Sequence, residues 1–314
     1  MDNNFDYPKV TICVPTFNRA KLLSDCLKSC LAQNYPNFEI VISNNASSDN
    51  TEEIVKGFDN NLINYYKQST TIPALDNWNY CINKANGEYL TFVSDDDLLE
   101  PNYIEELIKL MRKYPNASLW KCRFRYIDID NNNLGEQSPF PKFVSAIKFI
   151  ECRIQYDTQL ALPGFLCKTE NMKNINGFID VGFPGALYSD DYCWFRLSFL
   201  GDGVAFTNKI LWNFRTHLTH MGAFIDIDIY NKKIPNYINL LMNLVSKSDN
   251  SSDILEYIKY QYPEKLITER IRIELGRQLK KSKIDYILKI PSYFKLIKKC
   301  NAKIKRREIF TSLL

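Results

Sequence analysis

Three consecutive carboxylates, Asp95, Asp96 and Asp97, follow the apolar run Tyr89-Leu90-Thr91-Phe92-Val93-Ser94. Adjacent like charges repel, so the cluster calls for a counter-cation. Oxygen-only ligands suit Mg²⁺ or Mn²⁺, and Mg²⁺ sites use one or two carboxylates plus substrate phosphates. A second acidic pair, Asp190-Asp191, falls in Ser189-Asp190-Asp191-Tyr192-Cys193-Trp194-Phe195-Arg196. A carboxylate beside another tends to gain basicity, so Asp190 is expected to raise Asp191 and fit it for proton abstraction. Each cluster also has an ordinary alternative: a solvated acidic loop for the first, a helix amino terminus with favourable acidic residues for the second.

Two polar segments accompany these carboxylates. Pro15-Thr16-Phe17-Asn18-Arg19 ends one apolar run and leads into a helix, whose amino end can hold an anionic or nucleotide ligand. Ser43-Asn44-Asn45-Ala46-Ser47-Ser48-Asp49 ends the next run. A nucleobase read by side chains, with a metal on the pyrophosphate, would use such a crevice. The chain has no G-x-G-x-x-G and no G-K-[ST], and Gly201-Asp202-Gly203 reads as a turn. Dinucleotide and P-loop chemistry are disfavoured.

The elements that position these groups follow from apolar periodicity. Strands are expected at 10–14, 38–42, 64–66 and 89–94, and helices at 20–33, 74–86 and from Pro101 onward. Asp49 is expected to cap the helix after the second strand, with Glu52 completing a box-like start. Strand and helix in alternation predict an α/β fold with a mostly parallel, doubly wound sheet. The rhythm changes after Pro115: strands at 117–127, 159–167 and 203–215, an Asn-rich loop at 128–142, and a helix carrying Asp190-Asp191. From about 224 the chain reads as helical.

The 314 residues are 45% hydrophobic, enough for a substantial core, and no stretch approaches a membrane span. Nine cysteines without a C-x-x-C pair read as free thiols in a reducing cytosol. His217 and His220 are the only histidines, which excludes a His-rich metal centre. Residues 280–307 carry eleven Lys/Arg against one acid, a local charge of +10 that leaves −6 on the rest.

Pro15-Thr16-Phe17-Asn18-Arg19, Ser43-Asn44-Asn45-Ala46-Ser47-Ser48-Asp49-Asn50-Thr51, Ala85-Asn86-Gly87-Glu88-Tyr89 and Ser94-Asp95-Asp96-Asp97 stand in the order and spacing of a known family. The chain resembles the family 2 glycosyltransferases over residues 8 to about 220. The resemblance implies the GT-A fold, a Rossmann-like central sheet with helices on both faces, here with a helical C-terminal extension. It also implies a nucleotide-sugar donor, a divalent Mn²⁺ or Mg²⁺, and an inverting displacement at the anomeric carbon.

Position by position, the resemblance places Pro15, Thr16, Asn18, Arg19, Asn44, Ser47 and Asp95 at the nucleotide. Asp96 would be the metal-binding carboxylate, Asp97 its support and His217 a further metal or diphosphate contact. Ser94 stands where many members have an Asp. Asp191 would be the base that deprotonates the acceptor. Asn79, Asp190, Trp194 and Arg215 would serve the donor or acceptor sugar, Arg215 by offsetting pyrophosphate charge. Trp78 reads as helix core. Asn44 falls where the family often has an Asp that accepts from uracil N3–H. An amide can also donate, which points to a broader or non-uridine base preference.

The implied organisation is a GT-A domain over 1–220, with its nucleotide-sugar half to about 97, and a helical basic extension over 221–314. The partners implied are a nucleotide-sugar donor and a glycan or lipid-linked glycan acceptor of bacterial surface polysaccharide, of the O-antigen or capsule kind, and no nucleic acid. The tail is cationic and amphipathic, so it can lie on an anionic membrane surface, or it can be a solvated terminal helix. The expected location is cytoplasmic, peripheral on the inner face of the cell membrane. A GT-A-shaped binding or scaffold protein without turnover is the alternative.

Overall fold

The computed structural model describes residues 7–156, 163–216, 226–248 and 251–281. The run of β-branched residues that opens the chain forms β1 (Val10–Thr16), buried on both faces except at Pro15. Helix α1 (Ala20–Leu31) follows and buries Leu23, Cys26, Leu27 and Cys30, the stripe expected from the periodicity. Strand β2 (Phe38–Asn44) is buried throughout, as a parallel strand covered on both sides must be. Then come α2 (Thr51–Gly57), β3 (Ile63–Lys67), α3 (Ala74–Lys84), β4 (Tyr89–Phe92), β5 (Leu98–Leu99) and α4 (Tyr103–Lys113). The second half runs through β6 (Leu119–Ile127), β7 (Asn133–Glu136), β8 (Phe143–Val144), α5 (Ala146–Tyr156), β9 (Phe165–Lys168), α6 (Thr169–Asn174), α7 (Ser189–Ser198) and β10 (Val204–Arg215).

Among the described residues these strands form one sheet in the order β3-β2-β1-β4-β9-β6-β10-β5, with β7 beside β6 and β8 beside β10. The long ladders, β1 with β2, β2 with β3, β1 with β4 and β6 with β10, are parallel. Strand β9 is antiparallel to both β4 and β6 and joins the two parallel halves. Strand β1 has β2 on one side and β4 on the other, so the chain order reverses there. Open α/β sheets place their ligands outside the carboxyl ends of the strands at such a switch point. Thr16, Asn44 and the Asp95 turn all emerge at that edge.

Two local expectations change. Asp49 is not at the N-cap position of α2, which Asn50 occupies, yet it accepts from the first N–H of that helix. Its Oδ2 accepts from Ala20 N–H at 3.0 Å and its Oδ1 from Thr51 N–H at 3.1 Å, so it ties the start of α1 to the start of α2. The Asn-rich loop contains the short exposed strand β7, because Arg125 to Ile127 offer it a free ladder edge. Residues 157–162, which include part of the strand expected at 159–167, lie outside the described residues. All eight described cysteines are free thiols.

The chain divides into two compact units, Met1–Asp180 with Gly185–Ala223, and Val181–Pro184 with Phe224–Leu314. The first holds the sheet and every described residue of the site. In the second, α8 (Ile227–Val245), α9 (Ser252–Tyr260) and α10 (Tyr262–Lys281) pack on one another. Helix α8 is capped by Asp226, whose side chain accepts from Asp228 and Ile229 N–H. Among the described residues no helix is long and apolar enough to cross a membrane. The basic tail beyond Lys281 lies outside the described residues.

Candidate active site

The loops after β1 and β2 are bonded into one wall. Asn45 N–H donates to Thr16 O at 2.9 Å. Asn18 has a positive φ of 52°, which Asn tolerates better than most residues. This turn lets its N–H donate to Ser47 Oγ at 2.9 Å, while its Oδ1 accepts from Ser48 N–H at 2.8 Å. Pro15 pairs with Ser43 in the β1–β2 ladder, below that wall. Asn44 is fully buried. Its Oδ1 accepts from Ser47 N–H and its Nδ2 donates to the Tyr65 hydroxyl, both at 2.8 Å. The Asn44 amide is enclosed and holds Ser47 and Tyr65.

The three carboxylates part company. Arg19, the residue before α1, extends its Nη1 to Asp95 Oδ1 at 2.9 Å and to Asp96 Oδ2 at 2.7 Å. The guanidinium is thus the counter-cation that the sequence calls for. Asp95 also accepts from Phe17 N–H at 3.4 Å. Burial pushes Asp95 up to about 6, with Arg19 opposing and Asp96 adding to the shift. Asp97 turns the other way. Its Oδ2 accepts from Trp212 Nε1–H at 3.0 Å and its Oδ1 from Arg215 N–H at 2.8 Å. Burial, and next the charge of Asp96, push it well above the ordinary carboxylate range. Both Asp97 oxygens brace β10.

Arg215 Nε donates to Asp96 O at 2.7 Å, and its Nη1 to Asp128 O and Ile129 O at 2.9 and 3.1 Å. These bonds hold the triplet turn and the β6–β7 connection, while its buried Nη2 has no hydrogen-bond partner among the described residues. His217 lies outside the described residues. Among the described residues no three His, Cys, Asp or Glu side chains are grouped to cage a metal. The oxygen donors of Asp95 and Asp96 fit a cation that takes one or two carboxylates and completes its shell from phosphates and water.

The second acidic pair opens α7, next to Tyr188 with a left-handed φ of 64°. Asp191 is 3% exposed and its Oδ2 lies 2.8 Å from Arg153 Nη2 of α5. Asp190 Oδ1 accepts from Asp191 N–H at 2.8 Å. Burial, followed by the Asp191 charge, pushes Asp190 up to about 7. The Asp191 charge is thus one of the causes that raise Asp190. Lys121 of β6 is buried nearby, its Nζ 5.4 Å from the Trp194 ring centre and 5.7 Å from that of Phe165. Burial pulls Lys121 down to about 8, while Asp191 and Asp190 act to hold its charge.

Trp194 and Asn79 are structural in this arrangement. Trp194 is 4% exposed and packs against Phe165 and Phe178, with ring centres 4.0 and 5.6 Å apart. Trp78 is half-buried, and its ring centre lies 5.1 Å from that of Phe178. Asn79 exchanges two 2.8 Å bonds with the Phe178 backbone, which fix the orientation of its amide. Gly177, with φ +59°, makes that approach feasible, since a Cβ there would collide with the Asn79 side chain.

Sequence reasoning missed three residues that act on the expected ones: Arg153 on Asp191, Tyr65 on Asn44, and Lys121 near Asp190 and Asp191. Arg153 sits in a helix whose neighbours Phe149, Ile150 and Ile154 are core, and no motif marks it. Lys121 did carry a signal: a lone cation inside Leu119-Trp120-Lys121-Cys122 of a strand covered on both faces.

Residues 11–174 match the family model described as glycosyl transferase family 2. An uncharacterized glycosyltransferase of Rickettsia typhi is 29% identical over 69% of this chain and 67% of its own length. The GalNAc(5)-diNAcBac-PP-undecaprenol beta-1,3-glucosyltransferase of Campylobacter jejuni is 36% identical over 32% of this chain and 34% of its own. Among solved structures, TarS 1–349 of S. aureus in complex with UDP aligns with a TM-score of 0.60 at 15% identity, covering 83% of this chain and 72% of that one. The mannosyltransferase PcManGT of Pyrobaculum calidifontis with GDP-Man and Mn²⁺ aligns with a TM-score of 0.54 at 16% identity, covering 93% and 81%.

Proposed function

The chain belongs to glycosyl transferase family 2 and has the GT-A fold, and from that premise we propose an inverting transfer for which Asp191 is the base. The donor is a nucleotide sugar held at the carboxyl edge of β1, β2 and β4. The acceptor is a glycan or lipid-linked glycan of bacterial surface polysaccharide. The unit Met1–Asp180 with Gly185–Ala223 carries the reaction.

The observation that carries this reading is the buried Asp191 carboxylate, aimed by Arg153 from a separate helix. In the transfer, the acceptor oxygen bonds to the anomeric carbon, its proton passes to Asp191, and the carbon–oxygen bond to the diphosphate breaks. Inversion follows because the acceptor attacks opposite the leaving group. Asp95 and Asp96 would hold a divalent cation, which supplies countercharge to the departing diphosphate. Arg19, already on both carboxylates, keeps that corner neutral and orders the turn. Complexes of the fold neighbours with UDP and with GDP-Man and Mn²⁺, and the undecaprenol-linked acceptor in the Campylobacter relative's name, support the donor and acceptor classes.

Transfer and donor hydrolysis by the full chain, assayed with UDP-, GDP-, CDP- and dTDP-sugars and Mn²⁺, test the proposal. Turnover with one donor, lost in Asp191→Asn with donor binding retained, is expected. Nucleotide binding without turnover in the unaltered protein would point to a binding protein instead. The basic tail is proposed to reach an anionic membrane surface. Liposome flotation with and without residues 282–314 tests that, and equal flotation rejects it.

A further inference from the structure

Asn44 fixes the direction of a hydrogen bond that a carboxylate in its place would reverse. The Ser47 backbone N–H can only donate, and it lies 2.8 Å from Asn44 Oδ1. The amide oxygen must therefore face Ser47, and Nδ2 must face the Tyr65 hydroxyl, 2.8 Å away. An amide NH₂ is donor only, so Tyr65 accepts and its own hydrogen points elsewhere. No acceptor among the described residues takes that hydrogen.

Tyr65 stands where a ligand can meet it. It lies on β3 opposite Ile42, two residues before Lys67, which pairs with Asn44 at the carboxyl edge of the sheet. The segments after β2 and β3 close on each other there. Gln68 N–H donates to Asn44 O at 2.9 Å. The Asn45 side chain and the Ile72 backbone exchange bonds of 2.8 and 2.9 Å. Asn44 is fully buried behind these contacts, whereas Tyr65 is partly exposed.

We infer that the Tyr65 hydroxyl is the base-reading group of the nucleotide pocket, and that Asn44 makes it read as a donor. A donor favours a base that presents an unprotonated ring nitrogen, as cytosine does, over one that presents a ring N–H, as uracil and guanine do. Facing a ring N–H, the Tyr65 hydrogen would go unpaired, and an unpaired buried donor is costly. This inference rests on the nucleotide-sugar reading above and specifies its base.

Calorimetric titration of the full chain with CDP, UDP and GDP in the presence of Mn²⁺ tests it. CDP is expected to bind roughly threefold to tenfold more tightly than UDP, the worth of one hydrogen bond. Tyr65→Phe is expected to bring the two within about twofold and to lower Tm, since the buried Asn44 Nδ2–H loses its acceptor. Asn44→Asp keeps the acceptor for Ser47 N–H, turns the Tyr65 hydrogen inward, and is expected to reverse the order toward UDP. UDP or GDP binding more tightly than CDP to the unaltered protein overturns the inference, as does an unchanged CDP-to-UDP ratio in Tyr65→Phe. In those cases nucleotide binding itself, and the proposed function, survive. Failure of all three diphosphates to bind overturns both.

Discussion

Arg153 Nη2 and Asp191 Oδ2 lie 2.8 Å apart, joining α5 to the first turn of α7. A carboxylate this buried keeps one orientation only if a partner holds it. Asp191→Asn is expected to lower kcat by roughly 10²–10⁴-fold, the range for loss of a general base. Arg153→Met is expected to lower kcat by about 10–100-fold with the KM for donor unchanged, and Arg153→Lys to recover part of it. Steady-state kinetics with calorimetric donor binding separates lost positioning from lost binding.

Arg19 neutralises Asp95 and Asp96 through two ion pairs of 2.9 and 2.7 Å. Arg19→Ala leaves both buried carboxylates without that cation, a loss of about 1–3 kcal/mol once the partial exposure of the guanidinium is allowed for. A divalent cation can replace the missing charge. Thermal melts at pH 8 are expected to show a lowered Tm for Arg19→Ala, and a larger rise on adding Mn²⁺ than the unaltered protein shows.

Asp97 is held by Trp212 and Arg215 from β10. Trp212→Phe keeps an aromatic ring but deletes the Nε1–H donor and part of the buried indole. The expected cost is about 2–5 kcal/mol, from an under-satisfied buried carboxylate and the space left in the core. Urea denaturation reads it as a lower midpoint at unchanged slope.

Asp190 is pushed up to about 7, from an ordinary carboxylate value near 3.8. Between those values the folded protein binds more protons than the unfolded chain. The contribution of Asp190 to stability is therefore full below pH 4 and fades as pH rises through 7. Asp190→Asn keeps the oxygen that accepts from Asp191 N–H and deletes the charge. It is expected to raise Tm at pH 8 by about 2–4 °C and to leave Tm at pH 4 unchanged. A pH series of melts reads the difference.

The strands and helices of the first hundred residues were open to sequence reasoning because their signal is local. Val10 to Val14 and Phe38 to Ile42 are continuous apolar runs, and α1 carries its stripe at helical spacing. The edges of the sheet were less open. Strand β7 is exposed at every residue, so no burial pattern announces it, and it exists only because β6 offers a free edge. Asp49 looked like a cap for the helix that follows. It also reaches back 29 residues to Ala20, a partner that no window of sequence contains.

The carboxylate triplet divides what each level decides. The sequence by itself determined that three acidic residues end a buried strand, that two polar loops end its neighbours, and that strand and helix alternate as in a mostly parallel α/β sheet. Those are matters of residue type and period, which a chain carries locally. Tertiary structure alone decided that Arg19 takes Asp95 and Asp96, while Trp212 and Arg215 take Asp97. It likewise decided that Arg153 aims Asp191, and that Asn44 turns inward to set Tyr65. Each partner stands on a different element from the group it serves, and which of two adjacent carboxylates it meets depends on how those elements pack. A charge in water has many equivalent partners. A charge buried at the edge of a sheet has only the donors that packing brings within hydrogen-bond reach.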